Sequence, residues 1–187
     1  MTWLQRHEDA LWARFPAFRV LDDGLRSLKR PVSIVETGGL RTLDNVTGDG
    51  NSTYLWHEIV TDVGGNVTSI DIDPQCAAHC LQEFGYTVTA VTMDSLEALA
   101  NIDTAIDLLY LDSLDVDFHN DRAAAFHTFQ ECLLAYRKVN PGGFIAVDDN
   151  KGAAGKGRLV AEFAELHGWH CEHDGYVKVW RLPGGDQ

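Results

Sequence analysis

The order of apolar runs along the chain predicts an α/β fold, a doubly wound, mainly parallel seven-stranded sheet with helices on both faces. Three observations carry this. Short apolar runs alternate with helix-length segments from about residue 32 onward. The clearest run, Ile106 to Asp112 (IDLLYLD), is apolar on consecutive residues, as a strand covered on both faces must be. And the runs end on acids, which places polar chemistry along one edge of the sheet.

Each element has its own signal. Residues 2–14 and 17–29 read as helices, with Trp3, Leu4, Leu11, Trp12 and Phe15 spaced for one face and Pro16 and Pro31 as punctuation. Val32 to Glu36 is the first strand, and 52–62 a helix. Val67 to Asp71 is the second strand. Asp73-Pro74 then opens a helix to Phe84, an N-cap acid followed by proline in the first turn. Tyr86 to Val91 is the third strand, 95–100 a short helix, and Ile106 to Asp112 the fourth strand. A long helix covers 121–138, Pro141-Gly142-Gly143 turns into the fifth strand FIAVD, and 156–167 is helical. Two strands near 169–173 and 176–181 close the sheet. The sequence divides into a helical extension, 1–30, packed on a single Rossmann-like α/β domain, 31–187.

Composition narrows the function. With 45% hydrophobic and 23% charged residues, the 187-residue chain is neither disordered nor fibrous. No apolar run approaches the roughly 20 residues that cross a bilayer, and MTWLQRHEDALWARF lacks a signal peptide's apolar core. A cytoplasmic address is the expectation. Acids outnumber bases 28 to 15, a net charge of −13, which argues against nucleic acid or an anionic membrane as partner. A local basic patch around Lys151, Lys156 and Arg158 is the one exception. The four cysteines read as free thiols. Cys76, His79 and Cys80 share a helical face, but a zinc site there lacks a fourth ligand.

In a parallel sheet the ligand crevice lies beyond the carboxyl ends of the strands. Those ends are Glu36 to Gly39, Asp71 to Asp73, Asp94-Ser95, Asp112-Ser113 and Asp148-Asp149-Asn150. Glycine after strand one lets a ligand approach the backbone. A second cluster, Gly48 to Thr53, enters a helix whose free amides attract anions. Neither cluster is a dinucleotide fingerprint or a phosphate loop, which counts against NAD and ATP. Asp71 ends strand two, where a carboxylate accepts both hydroxyls of a ribose. Asp94-Ser95 lies either at an adenine edge or at a helix cap. Asp112, Asp149 and Asn150 are either an oxygen-only site for Mg²⁺, Ca²⁺ or Mn²⁺ or three polar loop residues, and spacing does not choose.

These motifs together resemble the class I S-adenosylmethionine-dependent methyltransferases. They are most similar to the divalent-metal-dependent O-methyltransferases that include the catechol and caffeoyl-CoA enzymes and their sugar- and macrolide-acting relatives. IVETGG, VTSIDIDP, TMDS, IDLLYLD and PGGFIAVDDN carry the likeness, over residues 32–181. The resemblance implies S-adenosylmethionine as cofactor. Its methionine moiety would lie against Glu36, Gly38, Gly39 and the helix start at Gly50, Ser52 and Thr53. The ribose would rest on Asp71 beside Ile72, the adenine near Asp94 and Ser95, with Asp112 flanking the cofactor. It also implies a cation, most simply Mg²⁺, on Asp112, Asp149 and Asn150. The family's lysine three residues beyond the strand-four ligand is Asp115 here, and the aromatic after that ligand is Leu114. His119 or Lys151, in or beside the metal-bearing loops, is then the proton acceptor. Residues 40–49 lengthen the first loop. The function implied is metal-assisted methylation of a hydroxylated small molecule or sugar. A non-catalytic cofactor-binding module, or a metal-dependent hydroxylase or hydrolase, are the alternatives. Exposed tryptophans such as Trp3 or Trp12 make a homodimer the candidate assembly.

Overall fold

The chain's computed structural model describes residues 1–49 and 51–184. Its first helical stretch is broken where a continuous helix was expected. Thr2 and Gln5 form a capping box on α1 (Trp3–Arg6), α2 (Glu8–Leu11) follows, and Trp12 then takes a positive φ of 43° that ends it. Helix α3 (Phe15–Ser27) accommodates Pro16 in its first turn, where a missing amide costs nothing. Phe18, Leu21 and Leu25 bury one face of α3 completely. Phe18 meets Trp56 and Tyr110 at ring-centroid distances of 5.6 and 5.9 Å, so the N-terminal helices share one core with the sheet. Each such aromatic contact adds about 0.5–1.5 kcal/mol beyond area burial.

The remaining elements run in the predicted alternation. They are β1 (Val32–Thr37), a short α4 (Val46–Asp49), α5 (Ser52–Val63), β2 (Gly65–Asp71), α6 (Pro74–Phe84), β3 (Val88–Thr92), α7 (Ser95–Asn101) and β4 (Ile106–Leu111). Then come α8 (Arg122–Ala135), β5 (Val139–Val147), a two-residue hairpin of β6 (Asn150–Lys151) and β7 (Ala154–Gly155), α9 (Arg158–Leu166), β8 (His170–Asp174) and β9 (Lys178–Arg181). Sequence periodicity missed α4 and the hairpin because both are too short to show a period. Pro141-Gly142-Gly143 lies within β5, at an irregularity in its pairing with β4, rather than before the strand.

The seven strands lie in the order β3-β2-β1-β4-β5-β9-β8. The first five are parallel, and β9 and β8 add antiparallel. This is the Rossmann-like doubly wound sheet that the sequence predicts. The chain winds outward from β1 to β3, then crosses back to lay β4 on the other side of β1. That reversal opens a crevice between the carboxyl ends of β1 and β4. The backbone bonds Gly38 N to Ile70 O (2.9 Å), Asp112 N to Thr37 O (2.9 Å) and Asp148 N to Leu111 O (3.2 Å) bring four strand ends side by side. Among the described residues, no helix is long and apolar enough to cross a membrane.

Candidate active site

Beyond β1 the backbone turns at Gly38, with φ +83°. A Cβ there would sit 2.3 Å from the carbonyl oxygen of Asp112, so only glycine lets β1 and β4 end this close together. Behind the turn, Glu36 is fully buried and accepts hydrogen bonds from Thr53 Oγ1 (2.6 Å) and Ser52 Oγ (3.0 Å). Burial raises its carboxyl above the usual range, while the hydroxyl bonds pull the other way. Glu36 therefore ties the start of α5 to β1 from inside. It is not among the residues that line the crevice, which it reaches only through Ser52 and Thr53.

The crevice consists of two hollows that share Gly38, Asp71 and Ser113. The polar one is bounded by Gly39, Arg41, Asp49, Asn51, Ser52, Thr53 and Asp112. The mainly apolar one is bounded by Ile70, Ile72, Asp94, Ser95, Leu114 and His127. Asp71 stands at their junction. Its Oδ2 accepts from the Gly39 amide and its Oδ1 from the Asp73 amide, both at 2.8 Å, so the carboxylate is held in place by backbone before any ligand arrives. Asp94 caps α7, accepting from the Leu96 and Glu97 amides at 3.0 and 3.2 Å, and its neighbour Ser95 meets His127 Nε2 at 3.1 Å. The buried Glu131 carboxylate, 3.6 Å from the same nitrogen, raises the His127 pKa.

Sequence reasoning passed over Asn51. It is buried, left-handed at φ 46°, and precedes the first turn of α5. Neither of its side-chain polar atoms has a hydrogen-bond partner among the described residues, although both are inaccessible. Unpaired buried amides are costly, on the order of 1–3 kcal/mol, and this one borders the polar hollow. An Asn between a glycine and a helix start was the available signal, since Asn tolerates the left-handed region. His127 gave no signal, being one polar residue within a long helix.

On the other side of the crevice stand three carboxylates and two cations. Lys156 Nζ lies 2.5 Å from Asp112 Oδ1 and 2.8 Å from Asp149 Oδ2, and the lysine is 1% exposed. Arg14 Nε lies 2.7 Å from Asp148 Oδ2, which also accepts from the Tyr110 hydroxyl at 2.6 Å. Tyr176 donates to Asp149 Oδ1 at 2.6 Å. Unit charges about 4 Å apart near a protein surface interact by about 4 kcal/mol, so clustered carboxylates require cations among them. Burial is the main cause that raises the Asp112 carboxyl, Lys156 opposes it, and Asp148 and Asp149 reinforce it. Burial would raise the Asp149 carboxyl too, but Lys156, the Tyr176 hydroxyl and Arg14 together outweigh it and hold it below the usual range. Asp112 Oδ1 goes to Lys156, and Oδ2 has no hydrogen-bond partner among the described residues.

These residues do not fit a divalent ion. Asn150 donates through Nδ2 to the carbonyls of Val147 (2.8 Å), Asp148 and Tyr176, and its Oδ1 accepts from the Gly157 amide at 2.8 Å. Its side chain holds the β6–β7 hairpin closed and offers no oxygen to a metal. The space between the two aspartates belongs to the Lys156 ammonium. Among the described residues no group of three or more His, Cys, Asp or Glu side chains is arranged to hold a metal. The expected Asp112, Asp149 and Asn150 triad finds no support in this arrangement.

Other expectations also change. His119 is exposed, and among the described residues its side chain makes no hydrogen bond or ion pair, its backbone amide donating to Asp117. Lys151 is exposed and its side chain makes no hydrogen bond or ion pair among the described residues; Lys156 is the lysine delivered to the carboxylates. The expected basic patch dissolves accordingly, since Lys156 is buried and Arg158 faces Asp121. Trp3 is buried against Tyr54, whereas Trp12 is 81% exposed. Cys76 and Cys80 are buried thiols, and His79 bonds the Leu40 carbonyl. Gly50 lies outside the described residues.

A methyltransferase domain model matches residues 46–150. Among solved structures, the N-methyltransferase NodS from Bradyrhizobium japonicum WM9 is 12% identical with a TM-score of 0.60, over 90% of this chain and 95% of that one. The MycE methyltransferase of the mycinamycin biosynthetic pathway, in complex with Mg, SAH and mycinamycin VI, is 16% identical with a TM-score of 0.62. That likeness covers 93% of this chain and 51% of MycE. The Methanococcus jannaschii fibrillarin pre-rRNA processing protein is 17% identical with a TM-score of 0.52, over 84% and 69% of the two chains. At such identities the likeness is one of fold. A search of curated proteins finds no match.

Proposed function

The chain belongs to the methyltransferase domain family, and on that premise we propose that it transfers a methyl group from S-adenosylmethionine to a hydroxyl of a small molecule. The observation that carries the reading is the pair of hollows meeting at Asp71. A polar chamber beside an apolar one, with a preset carboxylate between them, suits an amino acid, a base and the ribose that joins them. Asn51, with its unpaired buried amide, fits the polar end. Gly39, Ser52 and Thr53 would bind there too, with Ile72, Asp94 and Ser95 around the base. Structures of similar fold, NodS among them, are described with SAH bound, and an archaeal fibrillarin with S-adenosyl-L-methionine.

When bound, S-adenosylmethionine supplies a methyl on a sulfonium, an electrophile that needs only an aligned nucleophile. The chain's own residues provide the alignment and a place for the proton. Asp112 borders the polar hollow and keeps Oδ2 open. It would accept the acceptor's O–H, hold the oxygen in line, and take the proton at Oδ2 as the methyl's bond to sulfur gives way to its bond to oxygen and the thioether leaves. The surplus of acids favours a small molecule over nucleic acid as acceptor. Metal assistance, which the resemblance implied, finds no donor set here, and no step depends on it.

Calorimetric titration with S-adenosylmethionine tests the cofactor half. Binding is expected, and Asp71→Ala should weaken it by about 1–3 kcal/mol, the loss from removing hydrogen bonds to a charged group. No binding by the unaltered chain would overturn the proposal. A radiolabelled-methyl screen over phenols and sugars tests the acceptor half. Loss of transfer in Asp112→Asn with cofactor affinity retained is the supporting outcome.

A further inference from the structure

We infer that Lys156 is a resident cation standing between the two carboxylates that the sequence resemblance assigned to a divalent ion, so that this site is closed to metal. The inference rests on the reading of this edge as the acceptor side of a methyltransferase. Its test reads metal binding and unfolding, so the two can fail separately.

The chain is built to deliver the ammonium. Asp149 turns with φ +59°, β6 pairs with β7, and the Lys156 amide donates back to the Asp149 carbonyl at 3.2 Å. Gly155, at φ +119°, is where the hairpin returns, and a Cβ there would lie 2.3 Å from the Asp149 carbonyl oxygen. Only glycine allows this approach, and it turns the next side chain inward between Asp112 and Asp149. The Gly155 amide is itself held by Asp121 Oδ2 at 2.8 Å.

Three features then exclude a divalent ion. The ammonium directs one donor to each aspartate, at 2.5 and 2.8 Å, and is buried, so an ion would have to expel it. Arg14 places a second positive charge 3.7 Å from Asp149 Oδ1. The amide of Asn150, the third oxygen ligand expected from sequence, is spent on four backbone bonds. A hard cation takes six or more oxygens, several of them charged. Here both carboxylates already share a protein cation. Lys156 does not face the crevice; it acts through Asp112 and Asp149 as a positioning residue, fixing their spacing and leaving Asp112 Oδ2 open.

The full chain is titrated with Mn²⁺ by calorimetry and by the paramagnetic signal of the free ion, and its thermal unfolding is followed in EDTA and in millimolar Mn²⁺. No stoichiometric binding and an unchanged midpoint are expected. Lys156→Ala should unfold at lower temperature than the unaltered chain, and Mn²⁺ should restore part of the loss by occupying the freed carboxylates. Should that variant fail to fold, Lys156→Arg, which keeps a cation in place, should fold and remain blind to Mn²⁺. Stoichiometric Mn²⁺ binding by the unaltered chain, abolished in Asp112→Asn, would overturn the inference. So would a Lys156→Ala variant that unfolds at the unaltered temperature.

Discussion

Strand β4 carries an aspartate at each end, Asp107 near its start and Asp112 just past its finish, and the two have opposite fates. Asp107 accepts from Arg30 Nη2 and Nη1 (2.7 and 3.0 Å), Asn140 Nδ2 (2.7 Å) and the Ser33 amide (3.0 Å). Burial would raise its carboxyl, but these donors outweigh burial and hold it below the usual range. Asp112 has one cation for one oxygen, two carboxylates nearby and its other oxygen open, and is held above that range. Residue type and strand are shared. The supply of donors is what differs. At the amino edge it is complete, which makes structure; at the carboxyl edge it is short, which leaves a group able to act on a ligand.

The comparison can be broken from either end. The largest effect should come from Asp148→Ala beside Asp112, which strands the Arg14 guanidinium and the buried Tyr110 hydroxyl. Removing one partner of a buried pair costs about 3–5 kcal/mol, readable in urea unfolding. Asp107→Ala should cost less, about 2 kcal/mol from charged hydrogen bonds, because the Arg30 side chain is 48% exposed and water can serve it. S-adenosylmethionine affinity should be unchanged in that variant. Asp107 also sets an acid dependence. A carboxyl lowered by folding stabilises above its unfolded pKa of about 3.9, and this contribution is lost as pH falls through the folded value. The gap between Asp107→Ala and the unaltered chain should therefore narrow in acid. The smallest stability change should be that of Asp112→Asn, within about 1 kcal/mol, since Lys156 keeps Asp149 and one of three crowded charges is removed. That variant should nonetheless lose methyl transfer. An Asp107 variant that lost transfer, or an Asp112 variant that unfolded, would erase the distinction between the two edges.

The lining of the two hollows was legible in the sequence to a degree the carboxylate cluster around Lys156 was not. Asp71, Ser52, Thr53, Asp94 and Ser95 all lie on one side of the β1–β4 opening, each next to a strand end or helix start that local pattern marks. That Glu36 lies buried behind the turn was not legible, because burial is a property of packing. In the carboxylate cluster, Lys151 and Lys156 look alike in sequence, and Asn150 beside Asp149 looks like a ligand. Their roles depend on a hairpin too short to leave a periodic trace. Arg14 was invisible for a similar reason: it reaches Asp148 across 134 positions, from just beyond a helix break at Trp12.

By itself, then, the sequence determined the alternation of strands and helices, the parallel sheet, and the row of acids along its carboxyl edge. Run length, side-chain period and capping chemistry are local, and local signals survive in a single chain. The tertiary structure alone decided which acid met a cation. It gave Asp107 a full set of donors, placed Lys156 between Asp112 and Asp149, and turned Asn150 into the hairpin. Charge pairing acts over a few ångströms between residues distant in sequence, so only the folded chain sets the partners.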